Sequence, residues 1–135
     1  MATAKTYEDL VAWQLCTELC EIVFRLTDSG KCLTDAEFRR QIRDAAQNAP
    51  ALIAEGFVRY TPGEFVRYLR MARGELGEVR SRLTHARSRS YFTEQDWQLV
   101  WSLSERAIKT TTALLQSKLP HVKKGKGGSP VRCQY

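Results

Sequence analysis

Apolar residues recur along this chain in steps of three and four, and the pattern falls into four segments. The clearest runs Phe65, Leu69, Ala72, Leu76, Val79, Leu83 and Ala86, which predicts a helix from Pro62 to about Ser88 with a coiled-coil-like core seam. Ile42, Ala45, Ala49, Ile53 and Phe57 predict an earlier helix from about Asp35 to Phe57. A first helix, from about Tyr7 to Thr27, has its seam at Leu15, Leu19, Ile22 and Leu26, and Trp13, Cys16, Cys20, Val23 and Phe24 carry its apolar surface well round the cylinder. That surface exceeds what one core needs, so it packs against a second chain or lies deep between its own neighbours. Trp97, Val100, Trp101, Ala107, Ile108, Thr111, Leu114 and Leu115 define a fourth helix from about Glu94 to Leu119, ended by Pro120. At helical spacing the two tryptophans are core residues; only exposure would make them a base-stacking platform.

Helix beginnings are written locally. Thr6 with Asp9, Thr34 with Glu37, Thr61 with Glu64 and Thr93 with Asp96 have the spacing of a capping box. Leu33 with Phe38, Tyr60 with Phe65, and Phe92 with Trp97 have that of a hydrophobic staple. Pro62 sits at the first helical position after Thr61. Within the second helix Pro50 lacks an N–H and crowds the carbonyl four residues back, so a bend is expected near Ala46, and Gly56 is expected to help end the helix. The prediction is all-α: an up-down-up-down four-helix bundle, residues 1–119, followed by a basic tail, residues 120–135, expected to be flexible when free.

Composition narrows the class. Hydrophobic content of 43% with 27% charge excludes a mainly disordered chain. No apolar run approaches the roughly 18 residues of a membrane helix, and the N-terminus lacks a secretory signal, so a cytoplasmic protein is expected. Cysteines 16, 20, 32 and 133 are expected to be reduced; Cys16 and Cys20 share a helix face but lack two more ligands at zinc-like spacing and are expected to be small buried residues. The body to Leu119 holds 17 of the 21 basic residues and all 15 acidic ones, so the four bases beyond it supply most of the net charge of +6.

Charge placement suggests chemistry. One flank of the third helix carries Arg70, Arg73, Arg80 and Arg87, and the other carries Glu64, Glu75 and Glu78, with Arg82 near Glu78. Such a helix can meet copies of itself, Arg flank to Glu flank, or simply present two solvated flanks. Arg89 in the following loop and Lys123, Lys124 and Lys126 in the tail add phosphate-binding candidates. Arg39, Arg40 and Arg43 are expected to face partly toward solvent. Close approach by another backbone would explain Gly74 and Gly77. Glu55 reads as a buried carboxylate that pairs with Arg43 or Arg59 or caps a neighbouring helix. No phosphate-cradling glycine loop, zinc-hydrolase motif or nucleophile with an evident base emerges; no catalytic residue, cofactor or metal is expected.

The stretch around Gln41, Ile42, Arg43, Ala45, Ala46, Pro50, Ile53, Ala54, Glu55, Gly56, Phe57, Arg59, Thr61, Glu64 and Phe65 resembles the small bacterial four-helix-bundle proteins named after the intervening sequences of 23S ribosomal RNA genes. The opening from Tyr7 to Gln14 is similar too, and the resemblance runs to Leu119; Asp44 stands where the family has a second Arg. The resemblance implies a ring-shaped homopentamer. It also implies kinship with the accessory proteins of diversity-generating retroelements, which assist a reverse transcriptase and bind nucleic acid. The function expected is therefore a non-enzymatic homo-oligomer that binds RNA more than DNA through the arginine flank, Arg89 and the tail lysines. The alternative is an oligomeric interaction scaffold that docks a protein through the first helix or the Arg43 region.

Overall fold

The computed structural model describes residues 3–59 and 61–123. Four helices carry the chain: α1 (Val11–Leu26), α2 (Ala36–Val58), α3 (Pro62–Ser88) and α4 (Glu94–Lys118), with short 3-10 turns at Tyr7–Asp9, Lys31–Thr34 and Leu119–His121. Among the described residues there is no strand. Each helix packs on two others, α1 and α3 both meeting α2 and α4, so the four apolar seams close on one core. Leu19, Ile42, Ile53, Leu69, Leu76, Val79, Leu83 and Val100 are buried at its centre. None of the described helices is long and apolar enough to cross a membrane.

Two of the four expected starts are where the threonines put them. Thr61 accepts from the Glu64 N–H at 3.3 Å and Thr93 from that of Asp96 at 3.1 Å. The other two are displaced. Thr6 opens only the first 3-10 turn: Asp9 accepts from the Lys5 and Thr6 N–H groups, Leu10 turns extended, and α1 begins at Val11. Thr34 closes the second 3-10 turn, and Asp35, a stronger cap than threonine, takes the Phe38 N–H at 3.1 Å. The staple expected from Leu33 is absent, because Leu33 is exposed while Phe38 packs on Tyr91 and Phe92. Tyr60, the other half of Phe65's expected staple, lies outside the described residues; Phe65 meets Phe57 edge-on instead.

The end of α1 is tied to α2 by arginine. Thr27, fully buried, donates its hydroxyl to the Val23 carbonyl at 2.8 Å and accepts from Arg43 Nε at 2.8 Å. Arg43 Nη2 also reaches the Phe24 carbonyl and, at 2.6 Å, the Asp28 carboxylate, while Arg39 Nε donates to the Thr27 carbonyl at 2.9 Å. The last carbonyls of a helix lack partners along the chain and carry its negative dipole end, so two guanidinium groups one turn apart on α2 both satisfy and neutralise them. Arg39 and Arg43 thus face solvent only in part, as expected, with their guanidinium groups turned to α1, whereas Arg40 is exposed and pairs with Glu37 and Asp44.

Gly56 likewise has a different role from the one expected. It lies inside α2, which runs on to Val58, and a Cβ there would meet Tyr68 Cβ at 2.6 Å and a Phe65 ring carbon at 3.1 Å. The glycine lets α2 and α3 approach. Gly77, by contrast, has nothing within 4 Å of a built Cβ. The same substitution should then act in opposite directions: Gly56→Ala is expected to destabilise by about 1–3 kcal/mol through overpacking, and Gly77→Ala to stabilise by up to about 1 kcal/mol through helix propensity. Urea midpoints at constant m-value test both.

Candidate nucleic-acid interface

The arginine flank of α3 divides in two when its neighbours are taken into account. Arg80 lies 4.0 Å over the Trp101 ring and pairs with Glu105 at 3.5 Å. Arg87 lies 4.2 Å over the Trp97 ring and pairs with Glu94 at 2.6 Å. The two indoles stack on each other, centroids 4.8 Å apart and planes at 17°. Trp97 is buried and donates Nε1–H to the Leu83 carbonyl at 2.6 Å, so the tryptophans hold α3 to α4 and Trp97 offers no platform to a base. Both arginines therefore contact α4, Arg87 while remaining half exposed and Arg80 less so.

Arg89 is similarly engaged. The chain leaves α3 with Ser90 at φ 55°, the Tyr91 N–H reaching back to the Ala86 carbonyl and the Ser90 N–H to that of Arg87, a Schellman stop. This turn delivers Tyr91 and Arg89 to α2: the Tyr91 hydroxyl donates to Asp35 Oδ2 at 2.5 Å and Arg89 pairs with the same oxygen at 3.0 Å. The loop expected to touch phosphate is a clasp on the α2 start.

Arg70 and Arg73 make no ion pair among the described residues. Both are half-buried by their stems. On α4, Lys109 lies one turn beyond Glu105, the residue that meets Arg80, and so continues the side that Arg73 and Arg70 continue on α3. Lys109 is exposed and likewise without an ion pair among the described residues. It was not among the expected contacts; its spacing from Glu105 marks it only once α3 and α4 are known to be neighbours. Lys123 is exposed just after the last 3-10 turn, where Val122 sits beside Gly63, and Lys124 and Lys126 lie outside the described residues.

The other named positions are structural or acidic. Glu55 is not buried, its side chain being half exposed, but it does pair with Arg59, at 2.9 Å, and accepts from the Tyr68 hydroxyl at 3.3 Å. The Arg59 hydrogen bond, with that of Tyr68, holds its carboxyl below the usual range. Glu64, instead of closing its capping box, lies between Arg59 and Arg67. On the acidic flank, burial raises the Glu75 carboxyl, Glu78 and Asp44 add to the rise, and the Asn48 amide opposes it. Cys16 and Cys32 are buried and Cys20 is half-buried; burial pushes the Cys16 thiol up to about 12. Among the described residues no cluster of His, Cys, Asp and Glu could hold a metal. A cavity of about 570 Å³ opens near the α2–α3 junction, with Tyr7, Phe57 and Phe65 as apolar walls beside Lys5 and Lys118.

Four packed helices, an alanine-faced α2 with an internal proline, and a glycine at the α2–α3 contact define the class as an all-α four-helix protein. The family model described as 23S rRNA-intervening sequence protein matches residues 8–113, and the chain belongs to that family. No curated protein matches it.

Asp35 gives a pH signature. The Tyr91 hydroxyl first, then the Phe38 N–H and Arg89, hold its carboxyl below the usual range. A carboxylate depressed in the folded state contributes stability above its unfolded value, about 3.9, and loses it as pH falls through the folded value. Asp35→Asn keeps a capping oxygen but no charge, so the wild-type advantage in thermal melts is expected at neutral pH and should vanish in acid below that range.

Proposed function

We propose that this protein is a non-enzymatic homo-oligomer that binds nucleic acid, RNA in preference to DNA, through the strip formed by Arg70, Arg73 and Lys109 and extended by Lys123 and the tail lysines. The supporting observation is a contrast in pairing: Arg80, Arg87 and Arg89 face Glu105, Glu94 and Asp35, whereas Arg70 and Arg73 have no ion pair among the described residues. Family membership supports RNA as the partner. Each protomer would be an up-down-up-down bundle, as its short connections favour, with α2 bent at Pro50, and the resemblance favours a ring of five. The protein would act in the cytoplasm, and a reverse transcriptase is the protein partner that kinship with retroelement accessory proteins implies.

Backbone contacts of this kind release counterions, so affinity should fall linearly on a log–log plot against salt. Anisotropy titrations with labelled RNA and DNA of one sequence should show that slope, and replacing Arg70, Arg73 and Lys109 by Gln should reduce its magnitude by about 1 for each phosphate contact removed. Arg87→Gln should leave the slope unchanged. Salt-independent binding, or a triple variant with the wild-type slope, would refute the reading.

One observation favours a second reading, an interaction scaffold. A groove of about 350 Å³ runs between α1 and α2, lined by Thr17, Cys20, Phe24 and Pro50. Arg43 itself is engaged with the end of α1, so the groove is the better-supported docking surface of the two. A protein held in that apolar groove would stay bound at high salt.

A further inference from the structure

Opposite its core seam, α3 carries a second line with the same alternation of four and three: Arg67, Met71, Gly74, Glu78, Ser81 and His85. Among the described residues, the side chains from Arg67 to Ser81 on this line make no hydrogen bond or ion pair outside α3, and only His85, at the end of the line, borders α2. Met71 is 44% exposed, Gly74 has nothing within 4 Å of a built Cβ, and Arg67, Glu78 and Ser81 are exposed. Glycine in a helix interior weakens the helix, and among the described residues no close neighbour requires one at Gly74.

The charges along this line are arranged symmetrically. Arg67 and Glu78 stand equally far from the midpoint between Met71 and Gly74 and have opposite sign. Their present partners are loose: Arg67 to Glu64 at 3.9 Å and Glu78 to Arg82 at 3.6 Å, both on the surface of the same helix. A parallel copy of α3 in the same register would set Arg67 against Arg67. An antiparallel copy sets Arg67 against Glu78 and Met71 against Gly74, and the two-fold axis makes each contact twice.

We propose that this face of α3 is a self-association surface, on which a second copy of the chain packs antiparallel about a two-fold axis between Met71 and Gly74, with Met71 of each copy seated over Gly74 of the other. Arg67 of each copy pairs with Glu78 of the other, and the small Gly74 and Ser81 let the helices come close. Arg73 and Lys109 stay clear of the seam and Arg70 only flanks it, so the contact leaves most of the cationic strip open. Being two-fold, it differs from any contact that closes a ring: it doubles the mass of a single chain, and of a ring when its axis crosses the ring axis at a right angle.

Light scattering on the full chain tests it. Arg67→Glu and Glu78→Arg are each expected to halve the wild-type mass, because like charges then face each other, and the double variant carrying both should restore it. Gly74→Leu should also halve the mass by blocking Met71 while keeping the wild-type helical circular dichroism, since leucine favours the helix and a Cβ meets open space there. Single variants that keep the wild-type mass, a double variant that stays at half, or a wild-type chain that is monomeric would each overturn the proposal. RNA titration of the same samples reports separately: variants of half mass that still take up RNA support both inferences, and an assembled wild type that ignores RNA refutes only the nucleic-acid reading.

Discussion

Everything in this fold is hung on the junction where Arg39 and Arg43 receive the end of α1. A helix that stops inside a protein brings with it carbonyls that nothing in its own chain can satisfy, and burying them bare would be costly. Here Thr27 folds its hydroxyl back on Val23, and the two guanidinium groups of α2 take the Thr27 and Phe24 carbonyls. Because the donors are a single turn apart and planar, they fix the rotation of α2 about its own axis as well as its distance from α1. Ile42, Ala45, Ala46 and Ile53 then face the core, and Gly56, further along, is presented to Tyr68.

Local chemistry was legible in the sequence and non-local chemistry was not. Thr61 and Thr93 announce their helices because a cap and its N–H are three residues apart. Thr34 misleads because Asp35 is the stronger cap and is held in place by Tyr91, 56 residues away. Gly56 reads as a stop along the chain and proves to be a contact across it. The core seam of α3 was correct throughout, since its periodicity is a property of the helix alone. Of the arginine flank only the direction was legible, since it follows from the helix; the carboxylates and indoles that engage Arg80 and Arg87 belong to α4, and no spacing within α3 reveals them.

The family signature is accounted for largely by packing. Arg43 anchors α1, the alanines and Ile53 let α2 sit against its neighbours, Glu55 and Arg59 bracket Tyr68, and Thr61 starts α3. Asp44, in place of an arginine, lies beside Arg40 and contributes to the acidic flank near Glu75. Such a motif identifies an architecture. Arg70, Arg73 and Lys109, without an ion pair among the described residues, lie outside it on α3 and α4, where surface residues can change without disturbing the α1–α2 junction.

The burial of Cys16 has a practical side. A thiol held near pH 12 inside the core is almost never a thiolate at neutral pH, and no reagent reaches it while the helices are closed. Its rate of labelling therefore counts only the moments when α1 separates from the core, whereas the half-buried Cys20, one turn along the same helix, answers to smaller openings. The pair makes α1 a clock with two hands, one timing the breathing of the surface and the other the opening of the whole molecule.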